Sequence, residues 1–175
     1  MPASTVAETR ALLLELYDTA VRTAHPHTAV PPHLPPVPAG GRIIVVGAGK
    51  AAAAMAQATE RHYMALGQGA SISGLVSTRH GFKLPTEIIE ILEAAHPVPD
   101  QNSIDGARRA IELARSAGPN DLVLALMSGG ASALWSSPAS GISFADKQAL
   151  TKQLLRCGAR ISEINTVRKH LSAIK

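Results

Sequence analysis

The sequence contains very little cysteine and few aromatic residues, and both shortages exclude classes of protein. Its 175 residues include one cysteine, one tryptophan, two tyrosines and two phenylalanines. A single thiol, Cys157, cannot form an internal disulfide, and its apolar neighbours in LLRCGA favour a packing role over redox chemistry. So few aromatic side chains cannot build a surface for stacking bases, and we therefore predict no nucleic-acid partner.

The sequence also lacks a long hydrophobic run. No apolar stretch approaches the roughly 20 residues that a membrane helix needs, and no basic segment with an apolar core and cleavage site opens the chain. We therefore expect a cytoplasmic protein with no membrane partner. The net charge of +4 comes from scattered Lys and Arg residues. We interpret this excess as surface charge with a few anion contacts.

A hydrophobic content of 46% is enough for about one domain with a core. Residues 1–38 are predicted to form an N-terminal helix and a proline-rich connector, and residues 39–175 an α/β domain. Thr5 and Glu8 form a capping-box pair ahead of apolar residues at helical spacing, which predicts a helix over 5–24. The six prolines of 25–38 predict an extended, semi-rigid connector. The histidines of this connector lack the spacing and partners of a metal site.

From residue 42 onward, strand patterns alternate with helix patterns. Strands are predicted at 43–47, 72–77, 88–93 and 121–127. Helices are predicted over 50–66, from Asn102 or Ser103 to Ala117, from Ser143 to Arg156, and over 162–174. This alternation predicts an α/β fold, a Rossmann-like and mostly parallel sheet with helices on both faces. Ligands of such sheets bind beyond the carboxyl ends of the strands.

The first strand is followed by the turn GAGKAA, residues 47–52, which leads into a helix whose free amides favour an anion. It is not a Walker A loop, because Ile44 and Ala51 stand where that motif needs Gly and Ser or Thr. It fits the dinucleotide pattern G-x-G-x-x-A, but no acidic residue follows the next strand. Lys50 lies in the first turn of the helix, where the helix dipole disfavours a cation unless a bound anion compensates it. A solvent-facing Lys50 is the alternative.

The fourth strand is followed by SGGAS, residues 128–132, a run of small residues where packing normally favours bulk. Small residues let a ligand approach the backbone, and Ser128 and Ser132 add hydroxyl groups to a row of amides. We therefore predict a loop that holds phosphate or carboxylate oxygens. A tight connection that merely needs glycine is the alternative. A nucleophile elbow is excluded, because it would need Gly at position 134.

Two further groups are candidates for the same edge of the sheet. HPVPD, residues 96–100, follows the third strand and is stiffened by two prolines, so it presents His96 and Asp100 there or serves structure alone. Asn165, Arg168 and Lys169 share one face of the last predicted helix. Arg168 and Lys169 either clamp an anion or form a solvated helix face.

Four segments, in this order, resemble the class II glycerate 2-kinases: VVGAGKAAAAMAQATE, HPVPDQNSIDGARRAIELA, LALMSGGASALWSSPASGIS and LTKQLLRCGARISEINTVRKHLSAIK. The resemblance covers nearly all of the chain after residue 41 and, more loosely, the first helix. It implies an enzyme that transfers the γ-phosphoryl group of ATP, with Mg²⁺ or another divalent metal, to the 2-hydroxyl of D-glycerate. It also implies a homodimer and an active site in a cleft between this domain and a second, C-terminal α/β domain.

The resemblance also assigns residues to the site. Lys50 corresponds to the family's active-site lysine, whose expected role is to neutralise charge on the substrate or the transferring phosphoryl group. His96 and Asp100 are expected at the rim. The residues expected to bind substrate and phosphate are Gly47, Gly49, Ser128, Gly129, Gly130, Ser132, Asn165, Arg168 and Lys169.

The chain departs from the family pattern in two places. The family usually has SGGGSAL where this chain has SGGASAL, and a methyl at Ala131 would cost about 1 kcal/mol if the position needs a positive φ. The family continues past the position of Lys175, so the resemblance implies that this chain is a truncated portion without the C-terminal domain. We expect such a portion to have little kinase activity alone.

Two other functions stay open on the sequence. Relatives of this family also carry the name hydroxypyruvate reductase, and the pattern Gly47, Gly49 and Ala52 suits an NAD(P)H-dependent enzyme of that kind. The missing acidic residue after the second strand argues against it. A non-catalytic module that only binds anions would use the same two loops.

Overall fold

A computed structural model describes residues 5–174 of the chain. From the first strand onward strands and helices alternate, as the sequence predicts. In chain order the elements are α1 (Val6–Ala24), α2 (Pro26–Ala29), β1 (Ile43–Ala48), α3 (Ala52–Ala65), β2 (Ile72–Arg79), β3 (Ile89–Ala94), α4 (Gln101–Arg115), β4 (Leu122–Met127), α5 (Ala131–Leu134), α6 (Phe144–Arg156) and α7 (Ile161–His170).

The four strands form one parallel sheet with the order β3-β2-β1-β4. Strand β1 is central, since Ile43 is paired with Ile72 of β2 on one side and with Leu122 of β4 on the other. All six residues of β1 are buried, as its continuous apolar run predicts. The predicted Rossmann-like fold is confirmed.

Helices cover both faces of the sheet, because successive residues of β1 point to opposite sides. Ile43 and Val45 pack against α3, in a core cluster that includes Tyr63. Ile44 and Val46 pack against α4 and against the short helix α5. Two hydrophobic cores thus hold the sheet in place, and the carboxyl ends of all four strands lie at one edge.

The proline-rich connector differs from the prediction. It was expected to be extended, but it forms helix α2 and a 3-10 turn at Pro31–His33, each with a proline in its first turn, where a missing N–H does no harm. It also packs on α3: His27 Nε2 lies 3.0 Å from Gln57 Oε1, and the Tyr63 hydroxyl donates to the carbonyl of Pro35 at 2.6 Å.

Helix α1 forms where the capping box predicts it, with Thr5 and Glu8 bonded reciprocally. None of its residues is buried, although its sequence carries an apolar stripe. Leu13 is 61% exposed and Tyr17 is 66% exposed. Among residues 5–174, no helix combines the length and the apolar character that crossing a bilayer requires.

Helices α4 and α7 have shifted boundaries, and α5, like α2, is a helix that was not predicted. Helix α4 begins after Asp100, whose side chain accepts the N–H of Ser103, so the predicted caps Asn102 and Ser103 lie inside the helix. Helix α7 ends at His170, four residues before the predicted end. The four-residue helix α5 was not predicted, because it is too short to show a period.

Candidate active site

A cavity of about 470 Å³ lies beyond the carboxyl ends of the strands, where ligands of parallel sheets bind. It is bordered by the turn after β1, the loop after β3, the loop after β4, and helices α6 and α7. The polar side chains in its wall are Lys50, His96, Ser128, Ser132, Asn165 and Arg168. The fold therefore brings together seven of the residues that the sequence singles out, these six and Gly130.

The turn after β1 and the loop after β4 are bonded to each other through the backbone. The N–H of Lys50 donates to the carbonyl of Gly129 at 2.8 Å, and the N–H of Ala51 donates to the Ser128 hydroxyl at 3.0 Å. Gly49 has a φ of 142°, and a Cβ there would overlap Ser128 Oγ. Glycine is thus required at this position, both for the backbone conformation and for the close approach of the loop. The side chain of Lys50 remains exposed.

The loop after β4 turns at Gly130, which has a φ of 90° and precedes α5. Ala131 is the first residue of α5, and within residues 5–174 no residue other than glycine has a positive φ. The methyl of Ala131 therefore carries no backbone penalty, and the strain considered for SGGAS does not arise. A Cβ on Gly130 would lie 3.0 Å from His96 Nε2 and 3.3 Å from Lys50 Cγ. The two side chains therefore meet over this glycine.

The loop that carries His96 is fixed at its far end. Gln148 of α6 donates to the carbonyl of Pro99 at 2.6 Å, and Asp100 caps α4. The imidazole of His96 is half-buried, and its pKa lies below the ordinary value because of burial and the positive charges of Lys50, Arg168 and Arg79. These surroundings favour the neutral form of His96.

Helix α7 contributes Arg168 to the cavity wall, and Lys147 of α6 lies near Arg168 but outside that wall. Burial lowers the pKa of Arg168 from its usual range. Lys147 of α6 is only 5% exposed, and its pKa falls to about 8 because of burial and the nearby Arg168. Its Nζ donates to the carbonyl of Ser137 at 3.2 Å, and the N–H of Ala173 donates to the same oxygen at 2.8 Å. This shared acceptor ties the segment after α7 to α6.

Several predicted site residues lie outside the cavity wall. Gly47 is inside β1, between Val76 and Leu126, and Lys169 is exposed beside Arg168. The Gly129 carbonyl receives the Lys50 N–H at the border of the cavity. Their roles stay predictions.

Asp100 also lies outside the cavity wall, because its carboxylate is used elsewhere. It caps α4 and its Oδ2 lies 3.0 Å from His80 Nε2. Burial raises the pKa of this carboxyl, but hydrogen bonds from His80, Ala95 and Ser103 outweigh burial and hold the pKa below its ordinary value. Its predicted place at the rim of the site stays a prediction.

Two cations near the site were missed by the sequence reasoning. Arg79 ends β2 and adds to the positive charge that acts on His96, and its buried Nε has no hydrogen-bond partner within residues 5–174. Its place at a strand exit was a signal that could have identified it. Lys147 had no such signal, because its burial depends on the packing of α6.

The donor set suits anions. Lys50 and Arg168 line the cavity, and within residues 5–174 no aspartate or glutamate does. Phosphate and carboxylate groups are what such cations and hydroxyl groups bind. Over the same residues, no group of three or more His, Cys, Asp or Glu side chains could hold a metal ion. The described residues therefore fit the phosphates of a nucleotide or a small carboxylate, but they do not by themselves form a metal site.

Comparisons with known proteins agree with this fold. Residues 12–175 match the family described as a domain of unknown function, DUF4147. A protein of Agrobacterium vitis named as a proposed hydroxypyruvate reductase is 50% identical over 166 residues, which cover 95% of this chain and 37% of that protein. The D-glycerate 2-kinase of Thermotoga maritima is 44% identical over 165 residues, which cover 94% of this chain and 38% of the kinase.

A crystal structure of glycerate kinase from Thermotoga maritima has a TM-score of 0.81 and 42% identity, and the match covers 95% of this chain and 39% of that chain. This chain thus spans less than two fifths of the length of these relatives. It belongs to the DUF4147 family, and the resemblance of its motifs to the class II glycerate 2-kinases is confirmed.

Proposed function

We propose that this chain forms the N-terminal portion of a cytoplasmic enzyme that transfers the γ-phosphoryl group of ATP to the 2-hydroxyl of D-glycerate, giving 2-phosphoglycerate and ADP. The observation that carries this proposal is a strand-end cavity with Lys50 and Arg168 in its wall and, among residues 5–174, no carboxylate beside them. The relatives named D-glycerate 2-kinase support it, at 42% and 44% identity.

Both reactants are anions. D-glycerate carries a carboxylate and ATP a polyphosphate, so bringing them together requires positive charge that offsets their repulsion. Phosphoryl transfer needs little covalent help from the protein, and positioning and electrostatic stabilisation supply most of the rate. Lys50 is suited to this role because the hydrogen bond of its own N–H to Gly129 fixes the turn that carries it.

The nucleotide and its metal are part of this proposal. Lys50, Arg168 and the hydroxyl groups of Ser128 and Ser132 are the groups that would contact phosphate or carboxylate oxygens. A divalent metal, when bound, neutralises charge on the β- and γ-phosphates. The described residues do not provide its ligands, so their own part is to bind and orient the anions.

The reductase alternative takes support from the name of the Agrobacterium vitis relative. A Rossmann dinucleotide site would need the first amides of α3 free for the pyrophosphate. The amides of Lys50 and Ala51 are instead bonded to the loop after β4. The residue that ends β2 is Arg79, so the acid that would bind the ribose hydroxyls of NAD is missing there, although an arginine is compatible with the 2′-phosphate of NADP. The geometry therefore favours the kinase.

Paired assays on the full-length gene product that carries this sequence test the proposal. One measures D-glycerate-dependent ADP release with ATP and MgCl₂, and the other measures hydroxypyruvate-dependent oxidation of NADH and NADPH. We expect ADP release, with the product identified as 2-phosphoglycerate by ³¹P NMR. Oxidation of NADH or NADPH without ADP release would establish the reductase. Binding of ATP or D-glycerate with neither turnover would establish a non-catalytic module.

A further inference from the structure

Phosphoryl transfer to an alcohol releases one proton. The 2-hydroxyl oxygen of D-glycerate forms a bond to the γ-phosphorus, the bond between that phosphorus and the bridging oxygen of ADP breaks, and the hydroxyl proton must pass to a base. The proposed function therefore requires a proton acceptor within reach of the substrate hydroxyl.

His96 is the one base that the described part of the cavity wall provides. Lysine and arginine are protonated at neutral pH and have no lone pair to accept a proton, so Lys50 and Arg168 are unsuitable. The remaining polar side chains of the wall are hydroxyl and amide groups, which are not bases at this pH. A neutral imidazole accepts a proton readily near neutral pH.

The position of His96 suits this role. Its Nε2 faces Gly130, where a Cβ would lie only 3.0 Å away, and the stem of Lys50 approaches the same glycine. Since Gly130 has no side chain, the imidazole edge and the Lys50 stem border the same open space. Within residues 5–174 no hydrogen bond occupies either ring nitrogen of His96.

The surroundings of His96 favour its neutral form. Lys50 from the turn after β1, Arg168 from α7 and Arg79 from the end of β2 are the charges that act on the imidazole, and all are positive. Asp100, at the end of the same loop, is paired with His80. Together with burial, these cations lower the pKa of His96 below its ordinary value of 6.5. The acceptor form therefore persists at lower pH than in an ordinary histidine.

We propose that His96 is a catalytic residue that accepts the proton of the substrate 2-hydroxyl as its oxygen attacks the γ-phosphorus, and later releases that proton to water. This inference rests on the proposed kinase function and assigns its base. It treats Lys50 and Arg168 as the groups that hold the anions and His96 as the group that moves the proton.

The test compares His96→Asn and His96→Gln with His33→Asn in the full-length gene product, using D-glycerate-dependent ADP release. His33 is an exposed histidine of the connector and serves as the matched control. For both His96 variants we expect kcat to fall about 100-fold or more, with KM changed only a few-fold. His33→Asn is expected to keep the wild-type kcat.

The pH profile of kcat/KM, which reports ionisations of the free enzyme, provides the readout that a structural role would not change. The wild type should lose kcat/KM on the acid side with a midpoint below 6.5, because protonated His96 cannot accept the proton. That acid limb should be absent in a His96 variant.

If the wild type is active but the His96 variants keep its kcat or its acid limb, the role of His96 is overturned while the proposed kinase function stands. A wild type without an acid limb would overturn it even if both variants failed to fold. A wild type without D-glycerate-dependent ADP release would overturn the proposed function as well.

Discussion

Gly130 determines how closely the loop after β4 approaches the two side chains opposite it. Its φ of 90° lies in the left-handed region, and the nearest atoms to a Cβ at this position belong to His96 and Lys50. Any side chain here would both strain the backbone and enter the space between the proposed base and the proposed cation. Ala131, the next residue, carries no such strain because it is helical.

Gly130→Ala is therefore expected to lower kinase activity strongly while it lowers the free energy of unfolding only modestly. Gly141→Ala is the matched control, because Gly141 has a φ of 81° and nothing lies within 4 Å of a Cβ there. Both variants should lose about 1 kcal/mol of unfolding free energy through backbone strain. Only Gly130→Ala should lower kcat/KM by at least about tenfold, because it displaces His96 and Lys50. Equal activity of the two variants would contradict this role for Gly130.

At the scale of single residues, the site was largely predictable from the position of loops after predicted strands. Lys50, Ser128 and His96 each lie in such a loop, and parallel strands bring their carboxyl ends to one edge. The hydrogen bonds between the Ser128 loop and the amides of α3 were not predictable, because the two segments are 77 residues apart along the chain. That contact distinguishes this site from a dinucleotide-binding site, in which these amides would bind the pyrophosphate.

At the scale of elements, α6 and α7 are joined through the segment around Ser137. Its carbonyl accepts from Lys147 Nζ, the Ser172 hydroxyl and the Ala173 N–H. This junction places Arg168 at the cavity, and it requires burying the ammonium group of Lys147. Burial and the nearby Arg168 lower the pKa of Lys147 to about 8. Below that pH the lysine is protonated in the folded protein, and its buried charge reduces the free energy of unfolding.

A pH-dependent stability difference follows for Lys147→Met. Between pH 8 and 10.5 the unfolded wild type binds more protons at this lysine than the folded wild type, so wild-type stability rises with pH. The unfolding free energy of the wild type minus that of Lys147→Met should therefore increase over this range, with a slope approaching about 1.4 kcal/mol per pH unit. Urea unfolding of both proteins at a series of pH values measures this difference. Lys152→Met, an exposed lysine on the same helix, should show no such trend against the wild type. A flat difference for Lys147→Met would contradict the buried position of its ammonium group.

Long elements with strong periodicity followed from the sequence, whereas short ones did not. β1 was predictable because a strand covered on both faces is apolar throughout, and α6 because Ser143 caps it. α2 and α5 have only four residues each, and their helical form depends on packing against α3 and the sheet. In α1 the regular apolar pattern predicted the helix correctly, but it did not predict that the apolar stripe would be exposed.

At the scale of the whole molecule, positive charge is collected at one edge of the sheet. Lys50, Arg79 and Arg168 come from widely separated parts of the chain and all act on His96. The chain matches less than two fifths of its kinase relatives, so the proposed activity is best measured in the full-length gene product.

The most direct test of the account is D-glycerate-dependent ADP release by Lys50→Met beside Lys152→Met. Lys50 is exposed and fixes its turn through its backbone, so its replacement should leave the fold intact. The account predicts that Lys50→Met loses kcat/KM by a factor on the order of 10²–10³, while Lys152→Met matches the wild type. A Lys50→Met enzyme with wild-type kcat/KM would contradict the claim that this strand-end cavity binds the reacting anions.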